Sequence, residues 1–227
     1  MKYDVLLADA DGTLFDFHTG EKIALRATLT RFDLPVDENT VALYSKINEG
    51  HWKKLERGET TQGRLKVERF EDFLHAVGKE RSPEAMCDCY VEQIGQQRIL
   101  LEGAEAFCRE VSRKIPIYLV TNGISQIQRS RFGNSILVPY LQGFIISEEV
   151  GHSKPEPHML LEAMRQAEVS DIRRAVMLGD SVTADIGAAN HAGMDSILFT
   201  EGKEAPLGHG ATYVAQTLAE AQKLVLQ

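Results

Sequence analysis

The segment Asp9-Ala10-Asp11-Gly12-Thr13 follows directly on the short apolar run Val5 to Ala8. Two acids, two residues apart at the end of a strand, face the same side if the extended geometry persists. Crowded carboxylates repel unless a cation lies between them, and Mg²⁺ suits them because it takes oxygen ligands and keeps waters for a substrate phosphate. Gly12 permits a tight turn out of the strand. Alone, the motif fits an Asx-turn equally well. Three further pieces share its placement at or soon after a strand end. Thr121 closes an apolar run in Leu119-Val120-Thr121-Asn122-Gly123, where a hydroxyl and the backbone N–H groups of Asn122 and Gly123 suit phosphate oxygens. Lys154, in Gly151-His152-Ser153-Lys154-Pro155, offers a point charge. Asp180 and Asp185 follow another apolar run in Gly179-Asp180-Ser181-Val182-Thr183-Ala184-Asp185. Taken singly, Thr121 reads as a turn residue, Lys154 as a solvated charge and Asp180 as a helix cap. Their common placement favours a phosphate and metal site.

The elements that would hold these residues alternate. Tyr3 to Ala8, Pro116 to Thr121, Phe144 to Ser147, Ala175 to Gly179 and Ser196 to Phe199 read as strands. Most are nearly continuous Val, Ile and Leu runs, the pattern of parallel strands buried on both faces. Helices are expected at 102–114, 125–133, 155–167 and 183–193, which makes an α/β, doubly wound parallel sheet. Over one hundred residues separate the first two strands. Residues 18–98 hold no good strand and read as helices at 20–33, 38–57, 61–77 and 83–98. Pro35 ends the first, Gly58 and Gly78 stop the next two, and Ser82-Pro83-Glu84 starts the last. The expected organisation is a core of 1–17 and 99–227 with an all-helical insertion at 18–98. Hinges would lie near His18 to Gly20 and Leu100 to Gly103.

The formal net charge of −8 argues against binding a nucleic-acid polymer. No apolar run approaches the roughly 20 residues of a membrane span. Acids at Asp4, Asp9 and Asp11 break any signal-peptide apolar region, so a cytoplasmic protein without a membrane partner is expected. The cysteines Cys87, Cys89 and Cys108 contain no C-x-x-C pair and read as small buried thiols. The seven histidines form no H-E-x-x-H motif, and the chain has no Walker loop.

In combination DADGT, the threonine of TNG, the lysine of SKP and GDSVTAD resemble the haloacid dehalogenase superfamily, in its order and over the whole chain. The inserted helices resemble a type 1 cap on a Rossmann-like core. More narrowly, DADGTLFDF, SEEVGHSKPEP and GDSVTADIGAANHAGM resemble the pyrimidine 5'-nucleotidase subgroup. The resemblance implies a phosphatase with Asp9 as nucleophile, giving an aspartyl-phosphate, and Asp11 as general acid and base. It assigns Mg²⁺, with Mn²⁺ or Co²⁺ as substitutes, to Asp9, the Asp11 backbone carbonyl and Asp180. Asp185 would support the metal waters or Lys154, and Thr121, Asn122 and Lys154 would bind phosphate.

Within that superfamily Asp11 favours phosphate chemistry over dehalogenation. A phosphonate hydrolase would need a cap lysine that forms an imine, and Lys46, Lys53, Lys54, Lys66 and Lys79 read as solvated. A phosphomutase shares the core motifs, and a non-catalytic binding module is the reading from another class. The expected substrate is a small phosphorylated metabolite, a nucleoside 5'-monophosphate with a pyrimidine preference; the alternative is a sugar phosphate or phosphoglycolate. Asn48 and Trp52, four apart on one helix, are candidate base readers, although Trp52 fits a cap core equally well. Arg57, Arg64 and Arg69 read as solvated charges, and Phe17 and His18 as entrance residues. A monomer or small homo-oligomer is expected.

Overall fold

The structure, a computed structural model, describes residues 1–227. Six parallel strands form one sheet: β1 (Val5–Ala8), β2 (Ile117–Thr121), β3 (Gly143–Ile146), β4 (Ala175–Gly179), β5 (Asp195–Phe199) and β6 (Tyr213–Ala215). Their order is β3-β2-β1-β4-β5-β6. Successive side chains along each strand leave on opposite faces, so an unbroken apolar run feeds two cores. Leu6, Ala8, Ile117, Leu119, Val176 and Leu178 enter one, whereas Val5, Leu7, Tyr118, Val120, Ala175 and Met177 enter the other.

The ten helices are α1 (Phe17–Arg31), α2 (Glu38–Glu56), α3 (Gln62–Val77), α4 (Pro83–Gly95), α5 (Ala104–Ser112), α6 (Ser125–Gly133), α7 (Ser147–Val150), α8 (His158–Gln166), α9 (Gly187–Ala192) and α10 (Leu218–Val225). Phe107 and Val111 of α5 and Leu218 and Ala221 of α10 cover the first face. Met159 and Ala163 of α8 and Ala188 of α9 cover the second. No helix is long and apolar enough to cross a membrane.

The chain divides into two compact units. One comprises residues 1–17, 98–125 and 132–227 and contains the sheet; the other comprises 18–97 and 126–131. The second unit therefore takes in most of α6, which the strand-helix alternation assigns to a sheet crossover. Polar contacts account for this: Ser130 Oγ donates to the Gly95 carbonyl at 2.9 Å and Arg131 Nε to the Gln97 carbonyl at 3.0 Å.

In the helical unit the start and stop signals act as their chemistry requires. Asp37 and Ser82 accept backbone N–H groups at the starts of α2 and α4, and Gly78 ends α3 in the left-handed region at φ 63°. Its interior is aromatic: the Tyr44 ring lies 5.2–5.7 Å from those of Phe70, Phe73 and Tyr90. Two elements of the sheet unit lie beyond the last expected strand, namely β6 and α10. The strand is only three residues long and half exposed, so its apolar run is too short to mark it. The helix does carry a signal, because Thr217 accepts from Glu220 N and the Glu220 carboxylate accepts from Gln216 N, much as in a capping box.

Candidate active site

In a 3-2-1-4-5-6 sheet the connections reverse direction beside β1, and the crevice at the carboxyl ends there is where such sheets bind ligands. Asp9 leaves the end of β1, Thr121 is the last residue of β2, and Asp180 follows β4. The Asp9 N–H donates to the Leu178 carbonyl at 2.8 Å, extending the ladder to the nucleophile candidate. The turn then tightens, with Leu14 N and Phe15 N both donating to the Ala10 carbonyl. Gly12 sits at φ 85° within it, and a Cβ there would lie 2.5 Å from Asp180 Oδ2. Glycine is thus required both by conformation and by the closeness of the acid.

Lys154 is not a solvated charge: it is 2% exposed. Its ammonium donates to Asp9 Oδ1 at 2.6 Å, Asp185 Oδ1 at 2.6 Å and the Val120 carbonyl at 2.7 Å. Those three acceptors use all its protons. Asn122 holds the lysine backbone from both sides. Its Nδ2 donates to the Lys154 carbonyl at 2.8 Å, and its Oδ1 accepts from Lys154 N at 2.7 Å. Thr121 Oγ1 accepts from Gly123 N at 3.2 Å, closing the loop after β2.

Asp180 does not cap the following helix; Ser181 does, accepting from Ala184 N at 3.1 Å. A π-helical turn, Val182–Ile186, then swings Asp185 back under the site, in keeping with the frequent functional use of such turns. Asp185 Oδ2 accepts from Ser181 N at 3.0 Å, so both its oxygens are engaged. A Cβ on Gly179 would come within 2.3 Å of the Asp185 carboxyl, so only glycine fits at that strand end.

One oxygen each from Asp9, Asp180 and Asp185 lies within 4.8 Å of the other two. The electrostatics reflect the crowding. Burial pushes the Asp9 carboxyl well above the ordinary range, Lys154 pulls it down, and Asp185, Asp180 and Asp11 push it up. Protein atoms around the Asp180 carboxyl and the adjacent Asp185 charge push it up to about 7, although the residue's surface remains open to solvent; Lys154 opposes them. Burial disfavours the Lys154 charge, yet the neighbouring Asp185 and Asp9 more than compensate and hold the ammonium above its usual value. The hard oxygen donors and surplus negative charge fit a dication such as Mg²⁺. Asp180 and the lysine-distal side of Asp9 suit it best, because Asp185 is committed to Lys154 and Ser181. Thr13, fully buried, places its hydroxyl 3.5 Å from Asp180 Oδ1. The motif contains Thr13 and Ser181, but residue type alone assigns neither to its acid.

The remaining candidates, Phe17 apart, belong to the helical unit. Asn48 is 3% exposed, with Nδ2 donating to Glu21 Oε1 at 2.7 Å and Oδ1 accepting from Arg69 Nη1 at 3.0 Å. Trp52 is half-buried, His18 exposed and Phe17 half-buried. Arg57 and Arg64 are exposed, pairing with Glu59 and Glu68. Arg69 departs from the expected solvated charge: it is 2% exposed, with its guanidinium carbon 4.8 Å from the Tyr90 ring centroid. Glu21, also buried, has no motif to mark it.

Residues 3–193 match the haloacid dehalogenase-like hydrolase family. Pyrimidine 5'-nucleotidase PynA of Streptococcus pneumoniae is 32% identical over 200 residues, covering 88% of this chain and 84% of PynA. Pyrimidine 5'-nucleotidase YjjG of Escherichia coli is 27% identical over 226 residues, with 99% of each chain covered. The crystal structure of the HAD-hydrolase YfnB of Bacillus subtilis, bound to magnesium and described as revealing interdomain movement, superposes with a TM-score of 0.92 at 27% identity over 100% of both chains. With the sheet order and the rim constellation, these likenesses establish that the chain belongs to the haloacid dehalogenase-like hydrolases, as an enzyme of the phosphoric monoester hydrolase type.

Proposed function

We propose that the chain is a Mg²⁺-dependent nucleoside 5'-monophosphate phosphatase that prefers pyrimidine bases and works through a phosphorylated Asp9. The observation that carries the chemistry is the position of Asp9 at the switch point, with one oxygen on Lys154. That contact orients the carboxylate, whose two oxygens are shared between the metal and the attack on phosphorus. Asp11, two residues on, gives its proton to the leaving oxygen and then takes one from the water that hydrolyses the acyl phosphate. Asp9, the Asp11 backbone carbonyl and Asp180 would hold Mg²⁺, which would supply charge that offsets repulsion between carboxylate and phosphate; Mn²⁺ or Co²⁺ would substitute. Lys154 has its protons committed to protein acceptors, so it serves the phosphate by charge. Thr121 contributes its hydroxyl and Asn122 its backbone N–H, since the Asn122 side chain clamps the lysine turn. Asp185 holds Lys154 in place.

The nucleotide class rests on similarity to PynA and YjjG. Both ends of the Asn48 amide are engaged inside the helical unit, so we assign base recognition to the half-buried Trp52. A stacked base contributes about 1–3 kcal/mol, which favours a modest preference over strict selectivity. The test is kcat/KM for uridine and thymidine monophosphates beside adenosine monophosphate, phosphoglycolate and sugar phosphates, scored by phosphate release. A pyrimidine nucleotide should lead. A sugar phosphate or phosphoglycolate ahead of every nucleotide by about tenfold, or 1.4 kcal/mol, would overturn the nucleotidase reading and leave the phosphatase.

A further inference from the structure

The turn that carries Lys154 presents a second set of metal-binding side chains. His152, Glu156 and His158 are exposed, and none belongs to the carboxylate cluster. Nδ1 of His152 lies 2.7 Å from Oε2 of Glu156, and Nδ1 of His158 lies 3.4 Å from the same oxygen. One ligand atom from each residue falls within 4.8 Å of the other two. Tetrahedral ligands at metal distances of about 2.0–2.1 Å are separated by about 3.3–3.4 Å, so small side-chain rotations suffice to close the set around an ion.

The arrangement suits a dication better than a pair of imidazolium ions. The two rings stack with centroids 3.9 Å apart and planes inclined by 15°. Two charged rings at that distance repel. Nδ1 of His152 donates its proton to the Glu156 carboxylate, which can only accept; exchanging that proton for a dication leaves two imidazole nitrogens and one carboxylate oxygen as ligands. That donor set favours Zn²⁺, Ni²⁺ or Cu²⁺, whereas Mg²⁺ requires oxygen ligands in near-octahedral array. The exposed side leaves room for water at the remaining position.

The backbone beneath is fixed before any ion arrives. Asn122 clamps Lys154 from both sides, Glu156 N donates to the Ser153 carbonyl at 2.9 Å, and His191 Nδ1 lies 2.8 Å from the Pro155 carbonyl. Only the three side chains must be ordered, which lowers the entropic cost of binding. We propose that His152, Glu156 and His158 form a surface site for a transition-metal dication of the Zn²⁺ type, separate from the carboxylate cluster assigned to Mg²⁺. Its ligands bracket Lys154 in the chain, so an ion there ties together the two ends of the lysine turn.

The test titrates Zn²⁺ calorimetrically into the full chain with Mg²⁺ saturating. A single further equivalent should bind in the wild type and be lost in the His152→Ala/His158→Ala variant. That variant should keep its Mg²⁺-dependent turnover, which verifies its fold. Glu156→Gln should weaken Zn²⁺ by about tenfold or more. The electron paramagnetic resonance of Cu²⁺ bound to the wild type should report two imidazole nitrogens, a signature absent from the double variant. Absence of saturable Zn²⁺ binding, or an equal equivalent in the folded double variant, would overturn the proposal.

Discussion

In the sheet unit the buried cation Lys154 faces Asp9 and Asp185, with Asp180 and Asp11 close enough to perturb Asp9. In the helical unit the buried cation Arg69 meets Asn48, the Lys66 carbonyl and two aromatic rings, and Asn48 passes the contact to Glu21. The second network contains one acid for its one cation. The first contains four acids for one lysine, and burial together with its surplus charge raises Asp9 and Asp180. A structural network gains nothing from such a surplus, because uncompensated buried charge destabilises the fold. A site that must receive a dication has a use for it. The two units therefore bury charge with different consequences: the sheet unit keeps a deficit of cations for chemistry, and the helical unit settles its own packing.

The largest expected effect separates the two consequences at Asp9. Asp9→Asn should lower turnover by about ten-thousand-fold or more, the order lost with a covalent nucleophile. Unfolding midpoints should change little, because burial and neighbouring acids already press Asp9 toward its uncharged form. Substantial turnover in the folded variant would break the comparison on the catalytic side.

Arg69→Met should do the reverse. The chain's single tryptophan, Trp52, lies in the helical unit, so its fluorescence reports that unit's unfolding. Removing the guanidinium leaves Asn48 Oδ1 and the Glu21 charge without it, and the Trp52 transition should lose about 3 kcal/mol. Turnover of a simple aryl phosphate at low temperature should fall far less than in Asp9→Asn. A variant as stable as the wild type would mean that the Arg69 network is not structural.

The smallest effect concerns pH and Cys108 in the sheet unit. Burial pushes its thiol from 9.0 up to about 12. The unfolded chain therefore releases this proton at lower pH than the folded one, and the stability contributed by Cys108 declines as pH rises from about 9 toward 12. Cys108→Ala should flatten that decline in denaturant titrations of the sheet unit. An unchanged slope would sever Cys108 from the effect.

The same contrast explains what was legible in the sequence. Asp9, Thr121, Lys154 and Asp180 could be found because each stands at or near a strand end, and apolar runs mark strand ends well. Even there, the burial of Lys154 could not be read from its Ser and Pro neighbours. It follows from Asp185, which lies thirty-one residues away and is turned inward by the π-helical segment. Arg69 stands between Glu68 and Phe70 in a charged stretch of α3, and its partners Asn48 and Tyr90 come from α2 and α4. Periodicity carries no information about such tertiary pairing, so a buried arginine reads as a solvated one. The allocation of residues 126–131 to the helical unit has the same origin, since main-chain carbonyls at Gly95 and Gln97 accept from Ser130 and Arg131. By contrast, α10 carried a readable start signal at Thr217 and Glu220.

The central claim is that Asp9 accepts the phosphoryl group. The most direct measurement quenches the enzyme during steady turnover with Mg²⁺ and a nucleoside monophosphate, reduces any acyl phosphate with borohydride, and maps the peptides by mass spectrometry. Asp9, and no other acid, should appear as homoserine, and the signal should vanish in Asp9→Asn. Reduction at another acid, or none while phosphate is being released under conditions that trap a known acyl phosphate, would contradict it.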